Sequence, residues 1–293
     1  MRLIGWTVEE KNGLKAYARK LPLLPVGVIK IQRVPVKQLN REWIEGLVKK
    51  HRAVACHIEI DERVRAGVNQ ASPTTEFAKR LEPVIKTMKA WGYKPEKLGM
   101  LASKTQVIDL KLSQAKLLKQ MKSKTRYNLG LAQRRGLTAR VVNGQELLVN
   151  EGWLVDFLKL IRDNYRRVNF WGGTESWLKA HLKAFGKEAY LVMVDGEDQL
   201  VAAALFMTAD GISYYSHNGS TAVGRRLMGP TLAVWTGMVE AKRRRLQTLD
   251  FDGVYDERFP VKRWLGYTRF KAGFGGDYVW YPPALVKWLP GIF

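Results

Sequence analysis

Apolar residues recur along this chain with two different periods, and the alternation between them outlines its elements. Leu39, Trp43 and Leu47 stand at i, i+4 and i+8 and predict a helix over 37–51, after strands over 15–36 that are interrupted by Pro22, Pro25 and Pro35. The apolar, partly β-branched run over 53–61 predicts a buried strand, 76–91 a second helix and 106–110 a further strand. From Leu118 the spacing turns helical again through Met121, Thr125, Leu129 and Ala132. Ser113 suits the start of this helix and Gly136 its end, and a second cap at Ser123 would split it in two.

The same succession then begins afresh. A strand is expected over 137–142, helices over 145–167 and 175–185, and a strand over 189–194. A strand pair over 199–207 and 212–217 turns at Ala209-Asp210-Gly211. A helix follows over 230–244 with Pro230 in its first turn, then a strand over 248–252. This is the pattern of an α/β (α+β) protein with two units of related order. The first spans 1–136 and the second spans 137–276.

Charge changes the picture in one place above all. Between Leu101 and Arg140 there are ten Lys or Arg and a single acid, Asp109, in a chain whose net charge is +22. A helical stripe through the same window argues for an ordered surface rather than a basic tail. Lys119, Lys122, Lys124 and Arg126 are thereby held toward a polyanion. The run Lys242–Arg245 offers Arg243 and Arg244 as further phosphate contacts. With 46% hydrophobic residues the chain is globular rather than disordered.

The single cysteine, Cys56, lies in the apolar run AVACHIEI and reads as a buried thiol. No apolar run reaches eighteen residues and the first residues lack a secretory pattern, so a cytoplasmic protein is expected. The segment WYPPALVKWLPGIF mixes Trp, Tyr, Pro and Lys, which fits a docked tail or a peripheral contact with the inner membrane face. His51, His57, His181 and His217 are scattered, and neither HExxH nor paired CxxC occurs, so no metal is expected. GxxxxGK[ST], GxGxxG and GxSxG are also absent, which disfavours nucleotide hydrolysis, dinucleotide cofactors and serine esterase chemistry.

SKTRYNLGLAQRRG (123–136), YYSHNGS (214–220), DFDGV (250–254) and YTRFKAGFGG (267–276) occur in this order. They resemble the FemABX aminoacyltransferases of peptidoglycan bridge formation. The resemblance implies two GNAT-like acyltransferase domains, here without a coiled-coil arm, with the segment 277–293 joined to the first domain. It implies transfer of an amino acid from aminoacyl-tRNA to an amine of a UDP-linked or lipid-linked muropeptide, without a bound cofactor. It implies that Phe270 and Lys271 meet the aminoacyl end, with Lys271 on the reacting carbonyl or a nearby phosphate.

Lys124, Thr125, Arg126 and Tyr127, with Arg33 and Tyr215, would by the same resemblance hold the acceptor. Arg33 reads equally as a strand-end charge and Tyr215 equally as core. Asp109 is a candidate proton acceptor or a capping acid, and Asp252 reads as structural. Where relatives carry an Arg and a Tyr four residues apart, this chain has Gly173 and Trp177. An acyl-CoA donor is disfavoured because Pro230 stands where a diphosphate-binding amide would be wanted. The rival readings are an acyl-CoA-dependent N-acyltransferase and a non-enzymatic RNA-binding module.

Overall fold

The computed structural model describes residues 5–70, 72–96, 99–168, 175–197 and 199–289. Strands β1 (Thr7–Lys11), β2 (Leu14–Lys20) and β3 (Gly27–Val34) precede helix α1 (Arg41–Lys50) and β4 (Ala53–Ile60). Then come β5 (Val64–Gly67), α2 (Thr74–Ala90), β6 (Lys94–Glu96), β7 (Lys104–Asp109), α3 (Gln114–Gln120) and α4 (Ser123–Arg134). They are followed by β8 (Thr138–Asn143), α5 (Gly144–Val149), α6 (Glu151–Val168) and α7 (Glu175–Phe185). The remainder is β9 (Ala189–Gly196), β10 (Gln199–Ala209), β11 (Ile212–Ser220), α8 (Ala222–Arg226), α9 (Gly229–Arg243) and β12 (Thr248–Gly253). It closes with α10 (Leu265–Ala272), β13 (Asp277–Trp280) and β14 (Ala284–Trp288).

Two units result, each assembled from separate stretches of chain. The first takes residues up to Thr105, Tyr255–Val261 and the stretch from Tyr278; the second takes Gln106–Val254 and Lys262–Asp277. The division therefore precedes Gly136, and both basic helices α3 and α4 fall in the second unit.

In the first unit the sheet order is β1-β2-β3-β4-β14-β6, with β3 and β4 parallel and β14 antiparallel to both neighbours. Period-two burial makes the core: Ile29, Ile31, Cys56, Ile58 and Ile60 meet Ile44 and Leu47 of α1 and Phe77, Leu81 and Met88 of α2. Asn40 caps α1 by accepting from Trp43 N, so the helix begins at Arg41 and not at Lys37. Burial pushes the Cys56 thiol up to about 11, as suits an inert core residue. The excursion at Tyr255–Val261 is fixed to this unit by an ion pair and hydrogen bonds. Lys104 binds Glu257 at 2.7 Å, and Arg258, itself paired with the buried Asp256, donates to the Ser103 carbonyl at 2.9 Å. Lys104 thus leaves the count of basic surface residues, because its side chain is buried.

The second unit contains the order β7-β12-β11-β10-β9-β8. Its strands are apolar on both faces, as a sheet covered on both sides requires. Tyr190, Val192, Val194, Ala202, Ala204 and Phe206 pack toward α9 and α4, while Leu191, Met193, Ala203 and Leu205 pack toward α6 and α7. The long helix expected over 145–167 is two helices. Asn143 opens α5 with a reciprocal capping box to Glu146, and Asn150 ends that helix and caps the next through Trp153 N. The basic segment also splits, into α3 and α4, but Lys122 rather than Ser123 occupies the cap position of α4.

Candidate active site

Two of the sequence motifs meet in the second unit. Helix α4 starts against the end of α10: Lys122 N donates to the Gly273 carbonyl at 2.9 Å. A Cβ on Gly273 would lie 2.3 Å from Thr125 Oγ1, so only glycine admits Thr125 there. The following glycines are equally constrained. Gly275 (φ 82°) and Gly276 (φ 81°) take left-handed backbone, and added Cβ atoms would lie 2.6 Å from the Gln120 carbonyl and 2.2 Å from the Val107 carbonyl. The Gly run thus makes room for the protein's own backbone.

Lys271 occupies the last turn of α10, where the helix dipole favours a cation. It is 8% exposed. Its Nζ donates to the Gly253 carbonyl at 2.7 Å and stands 4.7 Å from the centre of the Tyr267 ring. Burial lowers its pKa to about 8, while the carboxylates of Asp252 and Asp250 pull the other way. At neutral pH the group is therefore mainly an ammonium, held dry and within reach of deprotonation.

Its surroundings are built by β11 and β12. These parallel strands pair only over Ile212–Tyr214 and Thr248–Asp250, although β11 continues to Ser220 and β12 to Gly253. At the end of the paired stretch Asp250 accepts from Asp252 N at 2.7 Å, fixing a kink in which Asp252 has φ 61°. The kink presents the Gly253 carbonyl to Lys271. Gln106 secures the other side: its Nε2 donates to the carbonyls of Lys271 and Gly275, both at 2.8 Å. Gln106 is fully buried, and its Oε1 has no hydrogen-bond partner. Nothing in the strand pattern TQVID singles it out beyond a polar residue at an inward position.

The model of the FemAB family matches residues 36–195 and 193–282, nearly the whole chain. The chain belongs to the FemAB family. A crystal structure of FemX superposes with a TM-score of 0.72 at 18% identity, over 98% of this chain and 89% of that one. The C-terminal domain of a putative lysylphosphatidylglycerol synthetase from Agrobacterium fabrum follows at 0.57 and 13%, over 98% and 85%. An L-PGS structure from Bacillus licheniformis gives 0.52 and 12%, over 96% and 85%. A comparison with curated protein sequences returns no match. The α/β class read from the sequence is that of this FemAB-family acyltransferase.

Among the residues that charge and the FemABX resemblance marked, Lys119, Lys122, Lys124 and Tyr127 are exposed, and Arg134 lies over the Tyr127 ring. Arg126 turns back: its guanidinium donates to the carbonyls of Leu118, Lys119 and Met121 and so closes the end of α3. Arg243 and Arg244 both bind Glu240 at 2.7 Å. Arg244 also donates to the Lys187 carbonyl and covers the Tyr190 ring, so of the two only Arg243 faces outward. Lys242 Nζ holds the carbonyls of Leu110 and Leu112.

Asp109 accepts from Lys111 N at 2.9 Å in a local turn ahead of α3, whose cap is Ser113. Phe270 packs edge-on against Phe274. Arg33, in the first unit, has φ 53°, donates to the Ala102 carbonyl at 2.6 Å and stacks 3.4 Å from the Tyr281 ring centre.

A bulge decides the fate of Tyr215. Strand β10 pairs Phe206 with Tyr215 and Leu205 with His217, leaving Ser216 without a partner in that strand. Tyr215 and His217, which a regular strand would place on one face, therefore point to opposite faces. Tyr215 is buried between Phe206 and Phe251, where burial raises the phenol's pKa. His217 lies beside Trp177, which itself stacks on His181 at 3.8 Å. Burial, with the neighbouring His181 adding to it, lowers the His217 pKa to about 4. Gly173, marked as a departure from relatives, lies outside the described residues. Among the described residues no group of His, Cys, Asp and Glu is arranged to hold a metal.

Proposed function

We propose that this protein moves an amino acid from aminoacyl-tRNA to an amine of a peptidoglycan precursor stem peptide. The observation that carries the reading is the buried Lys271 ammonium, set at the unpaired end of β11 and β12. The acceptor nitrogen attacks the ester carbonyl, a C–N bond forms, and negative charge gathers on the carbonyl oxygen. Collapse breaks the bond to the ribose oxygen, which takes up the proton that the amine gives away. A fixed ammonium in a dry site stabilises that oxyanion by roughly 3 kcal/mol. Deprotonating a lysine-like acceptor at pH 7 costs roughly 4–5 kcal/mol. With Asp109 in a local turn, we assign the proton's path to the tRNA ribose hydroxyl rather than to a carboxylate. Transfer is direct, with no covalent enzyme intermediate.

The start of α9 supports tRNA over acyl-CoA as donor. Pro230 has no N–H, and the amides of Thr231 and Leu232 both return to the Met228 carbonyl. The exposed Lys119, Lys122 and Lys124 offer the phosphate contacts that a tRNA requires.

The decisive experiment mixes the purified protein with charged tRNA and with UDP-linked or lipid-linked stem peptide. Aminoacylated stem peptide is the expected product. Product only with acyl-CoA would replace this reading with N-acylation. Retention of tRNA without any product would leave an RNA-binding module.

A further inference from the structure

We propose that one end of the first unit's sheet is a docking surface for an anionic lipid bilayer. The hairpin between β2 and β3 closes through Leu21 N to the Val26 carbonyl and projects Pro22, Leu23, Leu24 and Pro25. Leu23 is fully exposed and Leu24 is 43% exposed, though both are large apolar side chains in a loop whose usual residues are polar. Leu23 also takes φ 64°, a conformation that disfavours a bulky residue and that glycine or asparagine would adopt more easily. A strained leucine aimed at solvent contributes nothing to the fold.

Strand register brings a third apolar side chain to the same end. Gly27 pairs with Ala53, Trp288 pairs with Ala55, and Leu289 N donates to the Val54 carbonyl. Trp288, 64% exposed, therefore leaves the sheet at the edge from which the Leu23 hairpin projects. Cations surround these three residues. Arg19 and Lys20 end β2, Lys49 and Lys50 end α1, and Arg52 leads into β4; all five are exposed. Glu9 offsets Lys50 and His51 at 2.8 Å, leaving the surface positive. Apolar residues that enter the acyl boundary, ringed by lysine and arginine, are what a peripheral protein brings to anionic headgroups. Neither an RNA nor a basic copy of this chain has use for the exposed leucines and the cations together.

Co-sedimentation of the full chain with vesicles tests this without tRNA or acceptor, so it can fail while the transfer reading stands, and the reverse. Vesicles of phosphatidylcholine with about one third phosphatidylglycerol should carry the protein down, and phosphatidylcholine alone should not. Leu23→Asp with Leu24→Asp should weaken binding by at least about tenfold, with thermal stability unchanged because both side chains lie outside the core. Trp288→Ser should weaken it in the same direction, and Lys20→Glu with Arg52→Glu should remove the preference for phosphatidylglycerol. Absence of binding to the anionic vesicles would overturn the proposal. So would binding that the leucine variant leaves intact, or a dimer that this variant dissociates in the absence of any vesicle binding.

Discussion

Thr125 and Gly273 share one space: the threonine hydroxyl stands 2.3 Å from where a Cβ on the glycine would be. The contact locks the first turn of α4 to the last turn of α10, and so ties the basic helix to the helix that carries Lys271. Gly273→Ala should therefore cost about 1–3 kcal/mol through overpacking. Thermal unfolding would register the loss, and Thr125→Ser with Gly273→Ala should not restore it, since the hydroxyl remains.

Removing the buried ammonium separates chemistry from stability. Lys271→Met should lower the transfer rate by about a hundredfold or more. The folded chain should remain intact at pH 7 and gain stability, because the pKa of Lys271 is held below its unfolded value. Between roughly pH 8 and 10.4 the unfolded chain binds more protons at this site, so its contribution to stability is complete above that window and is lost as pH falls through about 8. Rate measurement beside denaturant unfolding checks both signs.

The same pKa sets a limb in the rate profile. If the charged form stabilises the oxyanion, transfer should decline as pH rises through about 8. Lys271→Arg, which stays charged, should lack that limb even where its rate is low. A profile measured for both proteins across pH 6 to 10 decides whether the charge acts as described.

Gln106→Leu removes two hydrogen bonds to buried carbonyls, those of Lys271 and Gly275. A loss of about 2–4 kcal/mol in unfolding free energy is expected, together with a lower kcat as the end of α10 loosens. Tyr215→Phe supplies the contrast. The side chain is in the core, so the substitution should leave the acceptor KM unchanged, a point that steady-state kinetics can settle.

Charge removal should sort the basic residues. Lys119→Gln, Lys122→Gln and Lys124→Gln should each reduce the salt slope of tRNA affinity by about one, with weaker binding at low salt. Arg126→Gln and Arg244→Gln should mainly lower the melting temperature, because both side chains hold carbonyls within the chain. Filter binding across a salt series, beside thermal melts, distinguishes the two groups.

Period and turn chemistry carried the strand and helix order, as the hairpin at Asp210 and the twin apolar faces of β9 and β10 illustrate. What they did not carry depended on partners distant in sequence. The conformation of Gly275 follows from a carbonyl at Gln120, and the direction of Tyr215 follows from a bulge at Ser216 that leaves no mark on the apolar pattern. Basicity was similarly ambiguous. Lys104, Arg126 and Arg244 have the composition of an anion-binding surface, but each meets a carboxylate or carbonyl of its own chain. Lys271 was a candidate through its motif alone; its helix, its burial and its Gln106 support left no mark on the sequence.

One consequence concerns synthesis rather than chemistry. Strand β14 lies between β4 and β6, so that seam of the first unit's sheet stays open until residues 284–288 have left the ribosome. The Gln106–Val254 stretch has by then been made in full and is free to fold ahead of its predecessor. A chain truncated before Ala284 would expose two bare strand edges, and aggregation rather than partial activity is the outcome to anticipate.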